Sequence, residues 1–267
     1  MSKPAAIAIA AHPDDIEFVM AGTLCLLRET GYETHYLNVA SGSGGSLVHG
    51  PAALRRIRRK EARHAAAVLG AQYHESYVDD LEVVYSVPLL RAVTAVIRAV
   101  KPTIVLTHSP QDYMEDHTNV SRLAVTAAFA RGVPNFASQP RRAAWGGDCT
   151  VYHAMPHGLV DQLRRRVAAG AYVDTTSVQA TKRAALACHE SQHAWLKSTQ
   201  GMNSYLREME VTSQELGRRS RRFAHAEGWR RHSPMGFCAE GADPLRDALG
   251  KNYLINGAYE RSLSRGR

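Results

Sequence analysis

An unbroken run of seven small apolar residues, Ala5 to Ala11, constrains this chain more than any other feature. A strand with no polar position has no face to give to water, so it is expected inside a parallel sheet covered on both sides. Asp15 to Thr30 then carries apolar side chains at helical spacing (Ile16, Val19, Met20, Leu24, Leu27) and stops at Gly31, a natural C-cap. Thr34 to Ala40 reads as a second strand, and Ser41 to Gly50 as a loop rich in Gly and Ser. Pro51, tolerated in a first turn, opens a long helix that ends at Gly70. Gln72 to Val78 is a third strand, Val87 to Val100 a helix broken by Lys101-Pro102, and Thr103 to Thr107 a fourth strand. This alternation predicts the α/β class, a doubly wound, mostly parallel sheet flanked by helices.

Beyond Arg131 the pattern weakens. Val151 to Met155 reads as a strand, Ala180 to Leu196 and Asn203 to Ala224 as helices, and nothing periodic follows Gly241. No repeat or domain boundary appears. A single domain is expected over residues 1–267, with 131–267 wrapping the first half and completing its pocket.

Composition narrows the function classes. The 267 residues are 45% hydrophobic and 22% charged, ordinary for a globular domain. No apolar run is long enough to span a bilayer, and the N-terminus does not read as a secretory signal. A cytoplasmic location and no membrane span are expected. Cys25, Cys149, Cys188 and Cys238 are far apart and form no Cys-x-x-Cys pair, which argues against a cysteine metal site or a disulfide framework. The formal charge of +8 raises nucleic acid as a partner. The basic residues are scattered, however, and few aromatics interleave with them, so no nucleic-acid partner is expected. A modest attraction for anionic substrates remains open.

Ligands of doubly wound sheets gather at the carboxyl ends of strands. Two polar segments leave strands there. In His12-Pro13-Asp14-Asp15, positions three apart share a face as the chain enters a helix. His12 and Asp15 could therefore bind one ion, since zinc accepts imidazole nitrogen and carboxylate oxygen. Asp14 would then be free to act as a base on water. The bland alternative is that both aspartates merely cap the helix. The segment His108 to His117 shifts that balance by offering His117 as a third ligand at the same edge, with Asp116 placed to orient a ligand. His108 itself lies too close to its strand to place.

Ala11-His12-Pro13-Asp14-Asp15 together with Asp112-Tyr113-x-x-Asp116-His117 resembles the LmbE-like family, the PIG-L deacetylases. Arg58-x-x-Glu61-Ala62 with Leu69-Gly70, and Lys182 with His189-x-Ser191-Gln192, agree in order. The resemblance implies a Rossmann-like fold, one zinc ion (another divalent metal is not excluded) and hydrolysis of N-acetyl groups on glucosamine derivatives or related amides. It places the zinc ligands on His12, Asp15 and His117 and the general base on Asp14.

One departure matters. Many members begin their second motif with a histidine that assists the transition state, and Met114 stands there instead. Met114 can neither donate a hydrogen bond nor hold charge. The expected substitute is a histidine from the second half, His189 first, then His232, with His193 a further candidate. Arg58 and His232 are expected to touch substrate, and the loop Ser41 to Ser46 to form a flexible, substrate-facing lid. The function expected is removal of an acyl group, acetyl first, from the amide nitrogen of a small-molecule amino sugar such as an N-acetylglucosamine derivative. The alternative is a noncatalytic zinc- or sugar-binding protein on the same scaffold. A homo-oligomer stays open.

Overall fold

The computed structural model describes residues 3–200 and 205–264. The first half runs β1 (Ala5–Ala10), α1 (Asp15–Val19), α2 (Ala21–Glu29), β2 (Glu33–Asn38), α3 (Pro51–Leu69), β3 (Gln72–His74), α4 (Val87–Val100), β4 (Ile104–Thr107), α5 (Glu115–Ala130) and β5 (Thr150–Ala154). The second half adds β6 (Ala171–Asp174), α6 (Gln179–Ala187), α7 (Glu190–Gln200), α8 (Tyr205–Ser220), β7 (Ala226–Arg231), α9 (Pro244–Leu249), β8 (Tyr253–Ile255) and α10 (Gly257–Ser264).

All eight strands share one sheet, in the order β3-β2-β1-β4-β5-β7-β6-β8. The strands from β3 to β5 are parallel, and β7, β6 and β8 extend the edge in antiparallel fashion. The expected α/β class with a mostly parallel sheet is therefore what the chain adopts. Alternate residues of β1 feed two cores: Ala6, Ala8 and Ala10 join the α2 and α3 side, while Ile7 and Ile9 join the α4 and α5 side. That two-sided burial is why the strand carries no polar residue.

The expected helix from Asp15 to Thr30 is two helices, broken at Met20 (φ −133°). A buried carboxylate accounts for the second start: Glu227 accepts the backbone N–H groups of Gly22 and Thr23, both at 2.8 Å. These are orphan donors of a helix N-terminus, where negative charge is favoured. The charge of Glu227 is met by Lys182, whose Nζ donates to it at 2.6 Å, with both side chains buried. Removing one partner of a buried ion pair strands the other. Lys182→Met is therefore expected to lower unfolding free energy by about 3–5 kcal/mol, measured as a shift of the urea midpoint at unchanged slope.

The loop after β2 is tied down along its first half, contrary to the expected flexibility. The Asp80 carboxylate accepts from the N–H groups of Gly42 and Gly44 (2.7 and 2.8 Å), and Ser41 Oγ donates to Asp79 at 2.7 Å. Gly42 has φ +76°, and a Cβ there would stand 2.6 Å from Arg58 Nε, so glycine lets the guanidinium pass underneath.

Candidate metal centre

The strand order reverses between β1 and β4, because β2 and β3 lie to one side and β5 to the other. Loops leaving the carboxyl ends of β1 and β4 therefore diverge and leave a crevice. His12 to Asp15 enters it from β1, and His108 to His117 enters it from β4. The one-atom donors of His12, Asp15 and His117 lie within 4.8 Å of one another.

Each of the two histidines has its far nitrogen fixed by a carboxylate. His12 Nε2 donates to Asp116 Oδ2 at 2.9 Å, leaving Nδ1 facing Asp15 Oδ2 at 3.4 Å. His117 Nδ1 donates to Asp112 Oδ1 at 3.1 Å, leaving Nε2 3.4 Å from the same Asp15 oxygen. Such partners fix tautomer and ring orientation and make the free nitrogen a better ligand. Asp116 is held in turn by the N–H of Leu81 at 2.8 Å. Leu81 adopts φ +66°, a left-handed conformation uncommon outside glycine, to deliver that bond.

A second trio, His108, Asp112 and His117, also converges. There His108 Nε2 already accepts the Ala11 N–H at 2.9 Å, and Asp112 is engaged by His117 and by the backbone of Tyr113. In the first trio Asp15 Oδ2 accepts the His12 N–H at 2.8 Å, but both near imidazole nitrogens point only at that carboxylate, and this trio is the better fit to an ion. Electrostatics agree. Burial opposes charge on Asp15, but the His117 and His108 rings beside it hold its carboxyl well below the usual range. Burial opposes charge on His12 too, yet its bonds to Asp116 and Asp15 push its pKa up to about 10. A cation in the crevice would replace that proton. Burial lowers His108 to about 4, so it is neutral there.

Asp14 sits beside the trio in a strained backbone conformation, φ 107°. Its carboxyl is buried, and burial pushes its pKa up while the Arg58 guanidinium pulls the other way. Arg58, expected as a substrate anchor, is only 2% exposed. It donates to the Pro13 carbonyl, to Asp14 Oδ2 at 3.2 Å and to Gln192 Oε1 at 2.6 Å, so it grips the segment that carries the ligands. The Tyr205 hydroxyl also bonds Asp14.

The second-half histidines fall differently from expectation. The His189 ring lies 3.4 Å from Glu17 Oε1, fully buried, because α6 and α7 break at Cys188-His189 and turn it inward beneath the crevice. His232 bonds His153 Nε2 at 3.0 Å and stands edge-on to Phe237, beside a surface hollow shared with Tyr259. Antiparallel pairing carries it back to the level of Val151, below the carboxyl edge. His193 is exposed on α7. The imidazole that does reach the trio is His157. Its Nε2 is 3.5 Å from Asp15 Oδ1 and buried without a hydrogen-bond partner, and its ring centroid is 5.3 Å from that of His117. Its backbone N–H donates to Asp112 at 3.4 Å, and Phe18 packs against the ring. Tyr113 closes this side, edge-on to both His117 and His157.

Fold and donor set together define an α/β protein with a candidate N,N,O metal cradle at the switch point of its sheet. Residues 7–128 match the family profile of GlcNAc-PI de-N-acetylase, PIG-L. Over that part, a little under half of its length, the chain is similar to the PIG-L, or LmbE-like, family. It is 33% identical over 138 residues to diacetylchitobiose deacetylase of Thermococcus kodakarensis, an alignment covering 49% of this chain and 51% of that enzyme. This chain thus matches about half the length of that relative. It is 29% identical over 202 residues to 4-oxalmesaconate hydratase of Pseudomonas putida, covering 72% of this chain and 76% of that one. Among solved structures, the 4-carboxy-2-hydroxymuconate hydratase of Pseudomonas putida KT2440 superposes with a TM-score of 0.73 at 23% identity, covering 90% of this chain and all of that one. Among the described residues no helix is long and apolar enough to cross a membrane.

Proposed function

We propose that the protein is a metal-dependent hydrolase, with zinc the first candidate, that removes an acyl group from the amide nitrogen of an amino sugar or a metabolite containing one. The observation that carries this reading is the convergence of His12, Asp15 and His117, with their far nitrogens pinned, beside a buried carboxylate that is no member of the trio. Zinc in that cradle would polarise the amide carbonyl and make water acidic enough to attack at neutral pH. Asp14 takes the proton of the attacking water and returns it to the departing amine. Arg58 and Tyr205 hold Asp14 in place through that exchange. His157, with a proton on Nε2, donates to the acyl oxygen as negative charge develops on it, the role Met114 cannot fill.

His157→Ala is expected to keep its full metal content and lose about 10²- to 10³-fold in kcat, the usual cost of one oxyanion donor. Metal analysis and steady-state rates check this on one preparation, and loss of the metal instead would make His157 a ligand.

The hydratase similarity favours a second reading, addition of water to an activated double bond at the same centre. Mass spectrometry of acetylated amino sugars incubated with metal-loaded protein separates the two. Deacylation removes the acetyl group and releases acetate, whereas hydration adds one water and releases nothing. Absence of acetate from every amino sugar tried, with water added to an unsaturated acid, would overturn the hydrolase reading.

A further inference from the structure

Arg98 and Arg131 are buried, as Arg58 is, whereas Arg230 is half-buried, and they are satisfied differently. Arg98 donates to the carbonyls of Ala130, Arg131, Val133 and Arg142, and Arg131 donates to those of Ala128, Gly147, Gly236 and Phe237. Both clamp the C-terminal end of α5, where backbone carbonyls gather and positive charge is favoured. Arg230 has no such set. Its Nη1 donates to Gln111 Oε1 at 2.9 Å and its Nη2 to Ser109 Oγ at 2.7 Å, and its Nε is buried without a partner. Among the described residues no carboxylate pairs with it; the one ionisable neighbour that favours its charge is Tyr259. A half-buried guanidinium with its Nε shut off from water and its other bonds made only to neutral oxygens is costly to keep charged unless something else completes it.

Its place in the fold says what that is. Arg230 lies on β7 opposite His153 of β5, and its side chain reaches the loop between β4 and α5. Gln111, which holds it, directly precedes Asp112, the residue that fixes His117 and the backbone of His157. Gln111 and Ser109 take one of the two protons on each terminal nitrogen, Nε stays unpartnered, and one proton remains on each terminal nitrogen. Those form the planar fork that matches a carboxylate. The net charge of +8 draws anions toward the molecule without selecting among them, so a fixed donor pair is needed for selection.

We propose that Arg230 anchors a carboxylate of the substrate, on the β5 side of the metal cradle. The inference rests on the reading of that cradle as the reacting centre and narrows it: the molecule processed carries a carboxylate besides the group that reacts. Ser109 and Gln111 orient the fork, and the substrate anion supplies the missing charge.

The test is equilibrium binding of succinate to the metal-loaded full chain by titration calorimetry, with uncharged succinamide as the control. Wild type is expected to bind succinate saturably and succinamide far more weakly. Arg230→Met, at equal metal content, should bind succinate roughly 10- to 100-fold more weakly, as for loss of a hydrogen-bonded charge. Arg230→Lys keeps charge but not the fork, and should fall between the two. It carries the test if Arg230→Met does not fold. Equal succinate binding by wild type and the variants, or no saturable binding by wild type, overturns the proposal. No turnover is measured, so the anchor can fail while the hydrolase reading stands, and the reverse.

Discussion

His117→Ala is expected to leave the protein without a stoichiometric metal ion and without detectable hydrolysis. His117 lies between two carboxylates, with Nδ1 on Asp112 and Nε2 turned toward Asp15. Removing it takes away one of three candidate protein donors. Two remaining donors do not make a catalytic zinc site, which needs three protein ligands with one position open. The fold should survive, because the ring belongs to the crevice and to none of the three hydrophobic clusters. Elemental analysis after buffer exchange, alongside far-ultraviolet circular dichroism, reads both effects. A variant that keeps one ion per chain would move the metal to other residues, with the His108 and Asp112 side of the crevice the next place to look.

Asp14→Asn is expected to keep its metal and lose at least about 10²-fold in turnover, the usual contribution of a positioned general base. The substitution is close to isosteric, and asparagine tolerates a left-handed backbone better than most residues, so the strained φ of 107° is no obstacle. It cannot accept a proton at neutral pH. It also removes the charge that Arg58 faces, so some stability should be lost with the activity. Comparing rates below the unfolding transition keeps the two effects apart. Near-normal turnover with bound metal would reduce Asp14 to a structural cap.

The parallel half of the fold was legible because its elements are locally consistent. Helix α4 has the bounds that its apolar spacing predicts, Ser86 caps its start, and Lys101-Pro102 ends it. Gly70, at φ +66°, caps α3 as the sequence suggests. The antiparallel edge was not legible. In β7 a buried Glu227 and a half-buried Arg230 interrupt any apolar run, and what makes Glu227 tolerable is Lys182, far away in sequence. Strands β6 and β8 are only four and three residues long, too short for a period to show.

The convergence of the candidate trio could be read in advance because His12 with Asp15, and later His117, follow buried strands in order. His157 obeys the same rule. It comes shortly after the fifth parallel strand, itself visible as Val151 to Met155, and is the first ionisable residue past its carboxyl end. That rule points to it better than helix membership pointed to His189. Which way a helical histidine turns depends on the break at Cys188, and no spacing reports that break.

The central claim is that a metal ion held by His12, Asp15 and His117 makes this chain an amide hydrolase. Its most direct test is to strip the protein of metal and add zinc back in steps while following acetate released from N-acetylated amino sugars. Cobalt and iron(II) serve as parallel titrants, since an N/O site of this kind accepts them as well. The account predicts no release from the stripped chain, and release that rises in proportion to added metal until one ion is bound per chain. Full acetate release by the metal-free protein would contradict it.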